Sequence, residues 1–142
     1  MTEFARIFME YNFPVTQELC VKFLTITVSV LVFSVTFSEK IIKFNNATKL
    51  EKRIIKTAWI SLIFAIILCG IGLVIHTIAG GQAVWGNFCF EVDKYVQNND
   101  SISYINNFAS AAYILITLAG VSFIFGLIMI VVSAIKSKVK QE

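Results

Sequence analysis

Charge is what this sequence has least of. Asp, Glu, Lys and Arg make up 15% of its 142 residues, against about 25% in a typical soluble domain. The shortfall is concentrated. Thr57 to Phe90 carries no formal charge if His76 is neutral, and Ser101 to Ile135 carries none at all. A soluble chain of this size could not cover so much apolar surface, which excludes an ordinary globular domain. Other chemistry is also missing. There is one histidine, and no carboxylate in the apolar runs to share a metal or relay a proton with it. There is no CxxC pair, Gly-rich phosphate loop, HExxH or nucleophile elbow. No catalytic residue, cofactor or metal is therefore expected. The net charge of +3 is modest. Its bases sit at the ends of apolar runs rather than on a basic face with exposed aromatics, so nucleic acid is not an expected partner.

What is present is hydrophobicity: 57% of residues, with a mean hydropathy of +0.78. Three apolar segments emerge, each bounded by charge, and they predict an all-α integral membrane protein with three transmembrane helices. The first apolar run, Phe23–Ser38, spans roughly 24 Å as a helix, short of the ~30 Å hydrocarbon core. Its flanks extend the helix to about 16–44, with Lys22 snorkelling to the headgroups, Pro14 ahead of it and Thr16 as N-cap. The second span covers about 56–79 and is ended by Gly80-Gly81. Trp59 and Trp85 lie near its two ends as interfacial aromatics. The third covers about 107–136.

Orientation follows from the connecting segments. The segment around 45–55 is a basic loop, with Lys40, Lys43, Lys49, Lys52, Arg53 and Lys56 in and beside it. The 137–142 tail is also basic. The long 80–106 loop has one base, Lys94, against Glu91, Asp93 and Asp100. The positive-inside rule places the basic loop and C-terminus in the cytoplasm, and three spans then place the N-terminus outside. Residues 1–13 lack the basic start and apolar core of a signal peptide. Phe4, Ile7, Phe8 and Tyr11 fall at helical spacing, which predicts a short helix lying in the outer interface; a frayed terminus is the plainer alternative. Abundant Asn, Ile, Lys and Phe hint at an AT-rich genome, and so at a bacterial inner membrane.

The stretch from Thr25 to Lys40, TITVSVLVFSVTFSEK, alternates hydroxyl and apolar residues as a half-buried strand does. A lone strand is not viable in lipid, because its backbone groups would go unsatisfied. As a helix, at about 100° per residue, the alternation resolves into two opposed stripes: Thr25, Ser29 and Thr36 on one side, Thr27, Ser34 and Ser38 on the other. The first stripe continues as a heptad seam: Glu18, Lys22, Thr25, Ser29, Val32, Thr36, Glu39 and Lys43. A polar seam with charged ends is what a water-lined path around a symmetry axis needs, with Val32 as its apolar constriction. The same hydroxyls can instead pack helices together or bond back to their own backbone.

The second span has a seam of small residues, Ala58, Ser61, Ala65, Cys69, Gly72, His76 and Ala79, which lets another helix approach closely. The third repeats Ala112, Ala119, Gly126 and Ser133 at sevens, with Ser122 and Gly126 as a small-xxx-small pair. These faces match as an antiparallel hairpin. His76 is a candidate gating or ion-binding group, as intramembrane ionisable residues often are; it can equally be a satisfied imidazole near the interface. Cys20 and Cys89 both fall on the outer side and can pair in an oxidising compartment, or remain free and buried.

The VLVFSVTFSEKI run leading into a Lys-rich loop resembles small multi-pass bacterial membrane proteins, particularly the membrane effectors of phage-defence operons. That resemblance implies a homo-oligomer that collapses the membrane potential when an activating protein or small signal triggers it. The expectation is a channel-like oligomer in the lipid bilayer. The alternative is a non-catalytic scaffold subunit of a larger membrane complex. A small-solute transporter would need paired broken helices and an inverted repeat, and neither is present.

Overall fold

The computed structural model describes the backbone of residues 6–38, 40, 47–92 and 99–139, and the side chains of these except 85–92, 99–102 and 137–139. Among the described residues the protein is all-helical, without strands. A π-helical turn, Phe8–Asn12, runs directly into α1, Phe13–Thr36; α2 is Lys49–Val92 and α3 is Asn99–Val139. Three stretches of 29, 36 and 34 residues, Phe8–Thr36, Lys49–Val84 and Ser103–Lys136, are long and apolar enough to cross a membrane. At about 1.5 Å per residue they reach roughly 43, 54 and 51 Å, beyond the ~30 Å hydrocarbon core. This is compatible with an integral membrane protein.

The helices depart from the expected bounds in three places. Thr16 is not an N-cap: helical backbone is continuous from Arg6 to Thr36, through Pro14. A proline ring has no N–H and crowds the carbonyl four residues back. The π turn sits immediately before it, and the Phe13 N–H bonds Phe8 O, one residue further than in an α-helix. Wider turns of this kind absorb such a lost bond. Over its described residues, 6–12, the predicted N-terminal helix is thus continuous with the first span, and its Phe8 is buried; Phe4 lies outside the described residues. Next, α2 starts at Lys49, inside the expected 45–55 loop. A capping box begins it. The Thr48 N–H donates to Glu51 Oε2 at 2.7 Å, and the Glu51 N–H donates back to Thr48 Oγ1 at 3.3 Å. Finally, the expected 80–106 loop is helical at 80–92 and 99–106. Gly80 does not stop the helix; it makes room for a neighbour. A Cβ there would run into the Phe13 ring.

The chain divides into two compact units. The first comprises Met1–Lys22 with Cys69–Thr117, and the second Phe23–Leu68 with Leu118–Glu142. The first unit has a core of Phe8, Ala79, Ala83, Ile105 and Ala109, with Met9, Phe13 and Phe108 packed on it. Within it α1 and α2 run antiparallel, since Cys20 meets Cys69 and Phe13 meets His76 and Gly80. In the second unit α2 and α3 run antiparallel, since Ser61 meets Ser122 and Ala58 meets Gly126. Burial repeats in steps of three and four along α2, at Glu51, Ile55, Ala58, Leu62, Ala65, Cys69, Gly72, His76, Ala79 and Ala83. Along α3 it recurs at sevens: Ile105, Ala112, Ala119, Gly126 and Ser133. Small side chains dominate both lists, as close helix approach in lipid requires.

Candidate functional site

The two hydroxyl stripes of α1 have opposite fates. Cys20, Thr27 and Ser34, seven residues apart, are buried. Thr27 Oγ1 donates to its own helix at Phe23 O, 2.8 Å away. Ser34 Oγ accepts the indole N–H of Trp59 at 3.0 Å, so Trp59 is held by its helix neighbour. The other stripe, Glu18, Lys22, Thr25, Ser29, Val32 and Thr36, is exposed throughout. Lys22 Nζ donates to Glu18 Oε1 at 2.6 Å, both side chains 68% exposed. Ser29 Oγ donates to Thr25 O at 2.7 Å. Val32 is 57% exposed. Glu39 and Lys43, the far end of the predicted seam, lie outside the described residues. Hydroxyls alone do not distinguish the stripes; burial does, together with the Glu18–Lys22 pair on the exposed one.

The predicted small-residue positions are buried in their own units. In the first, Gly72 lies under α3, where a Cβ would be 3.0 Å from Ile116 and 3.3 Å from the Ala112 carbonyl. In the second, Ala65 and Ala119 are fully buried, and Gly126 faces Leu62 and the Ala58 carbonyl. The second unit also holds a reciprocal clasp: Ser61 Oγ donates to Ser122 O at 2.7 Å, and Ser122 Oγ donates to Ser61 O at 2.9 Å. The Phe23 and Phe123 rings pack edge-on beside it, centroids 5.4 Å apart.

His76 lies in the interior of the first unit. It is fully buried and ringed by Phe13, stacked at 5.1 Å, Phe8 at 5.5 Å and Tyr113 at 5.8 Å. The Phe13 backbone lies near it, but neither ring nitrogen makes a hydrogen bond of ordinary geometry. Sequence reasoning placed His76 on the packing seam and missed its aromatic surround, because Phe8 and Phe13 reach it from the far end of the chain. No group of three or more His, Cys, Asp or Glu among the described residues could hold a metal. Cys20 and Cys69 are free thiols buried side by side, with Cys69 Sγ 4.0 Å from Cys20 O. Cys20 therefore faces α2 as a free, buried thiol, the plainer of its two expected states; the side chain of Cys89 lies outside those described.

No protein-family model, curated protein or solved structure matches this chain.

Proposed function

We propose that the chain is a homo-oligomeric, channel-like membrane protein in which the exposed stripe of α1 lines or borders the symmetry axis. The observation that carries this is the uncovered face of α1. A charged pair, Glu18 with Lys22, and the Thr25, Ser29 and Thr36 hydroxyls lie on the side of a membrane-length helix that its own packing leaves exposed. Charged groups are costly against lipid and usually face an interior or a water-filled cavity. A second copy of α1, with water between, would supply one. Val32 is then the apolar constriction of the path. The loop charges orient the N-terminus outside and the C-terminus in the cytoplasm of a bacterial inner membrane. As a depolarising effector, the oligomer would open on binding an activating protein or small signal.

One observation favours the scaffold reading. Ser29 bonds back to the Thr25 carbonyl, which satisfies its hydroxyl without water. On that reading the same face meets an unlike membrane subunit. Ion flux from liposomes carrying the purified protein separates the two. Val32→Ser should raise flux and Thr36→Val should lower it. Unchanged flux in both, from a protein that purifies as a monomer bound to other chains, rejects the channel.

A further inference from the structure

The first three turns of α2 carry a concentration of cations that the channel reading leaves unused. Lys49, Lys52, Arg53 and Lys56 fall at i, i+3, i+4 and i+7, on one side of the helix. With Thr57 and Ile60 they line an open groove of about 470 Å³. No carboxylate among the described residues pairs with Lys49, Arg53 or Lys56. The nearby acid, Glu51, is buried and turned to the Thr48 amide and hydroxyl. The groove is not the bare helix terminus, because the Glu51 N–H is already occupied by Thr48 Oγ1. Its recognition chemistry is side-chain charge.

The groove changes character along the helix axis. Four cations lead into Thr57 and Ile60, and the same exposed side continues through Phe64 and Ile67. A phospholipid has the same layout, an anionic headgroup above acyl chains. Arg53 suits the phosphate best, because its planar fork can hold two phosphate oxygens at once; the lysines add point charges around it. Basic pockets at the cytoplasmic ends of membrane helices bind anionic headgroups on this principle.

We propose that this groove is a binding site for an anionic glycerophospholipid, with the headgroup phosphate held by Lys49, Lys52, Arg53 and Lys56 and an acyl chain laid along Ile60. The occupant is a lipid rather than a free phosphate, because Ile60 at the groove's end, and the exposed Phe64 and Ile67 beyond it, have no role for an ion. The site stands whether or not the protein conducts.

The test titrates phosphatidylglycerol onto the purified full-length protein in a neutral detergent and counts bound lipid by native mass spectrometry. R53Q/K56Q should weaken binding by roughly an order of magnitude or more, while the charge-conserving R53K/K56R should retain it. K40Q/K136Q removes two cations elsewhere and should stay within about twofold of the parent. Phosphatidylcholine should bind R53Q/K56Q and the parent alike, and inorganic phosphate should not displace phosphatidylglycerol. Equal losses in R53Q/K56Q and K40Q/K136Q would reduce the site to general surface charge and overturn it. Displacement by phosphate alone would overturn the lipid assignment. Melting temperatures of all variants, compared without lipid, separate lost binding from lost folding.

Discussion

In the first unit the helices meet around His76, whose ring is packed by Phe8, Phe13 and Tyr113 while its nitrogens make no hydrogen bond of ordinary geometry. In the second they meet through hydroxyls that donate to the neighbouring helix: Ser61 and Ser122 to each other's carbonyls, with Trp59 donating to Ser34. Ser133, buried without a partner, is the exception there. Where apolar burial drives little association, helices cohere by shape and by polar bonds. The first unit leans on shape, tolerating an unsatisfied imidazole for the area its aromatic rings cover. The second leans on directional bonds between side chains small enough to bring the backbones together.

Three experiments probe that contrast. The largest effect is expected from Gly126→Leu in the second unit. A Cβ there stands 2.9 Å from Leu62 Cδ2 and 3.3 Å from the Ala58 carbonyl, and Leu62 is fully buried and cannot swing away. Overpacking of this kind should cost about 2–3 kcal/mol, read as a lower midpoint in detergent unfolding. Gly120→Leu, with nothing within 4 Å, should stay within about 0.5 kcal/mol of the parent. Equal losses at the two glycines would remove the packing argument. The next effect has the opposite sign. His76→Phe keeps a ring in the aromatic surround and removes an unsatisfied buried group, so the first unit should gain about 1 kcal/mol. A loss in the same unfolding assay would show that the imidazole has a partner worth keeping. The smallest effect is the clasp itself. A double-mutant cycle of Ser61→Ala and Ser122→Ala should return a coupling of about 0.6 kcal/mol. A coupling of zero would mean that the second unit, like the first, is held by shape.

The three spans were legible because charge gaps and apolar length are local properties of the chain. So was the α2 seam at Ala58, Ala65, Cys69, Gly72, His76 and Ala79, since a helix with one buried side must place its small residues at threes and fours. The helix ends were harder to read. Pro14 and Gly80-Gly81 look like boundaries by propensity, yet Pro14 is accommodated by a π turn and Gly80 is claimed by the Phe13 ring. The first outcome depends on a rare local turn, and the second on a partner far away in sequence. The fate of the α1 stripes was illegible for the second reason. Thr25, Ser29 and Thr36 differ from Thr27, Ser34 and Ser38 only by a Thr against a Ser, and the decision rests with Trp59, whose N–H finds Ser34 from 25 residues away.

The turn at Phe8–Asn12 also resets the angular origin of the helix. At about 100° per residue, Phe8 and Phe13 would point some 140° apart on an uninterrupted α-helix. With the wider turn between them, their ring centroids come within 6.2 Å of each other, and both rings touch His76. One turn before Phe13 an uninterrupted α-helix would place Met9, and the wider turn places the buried Phe8 there. Pro14 and the turn before it thus work as a phase shifter, bringing a second aromatic ring from α1's start to the imidazole.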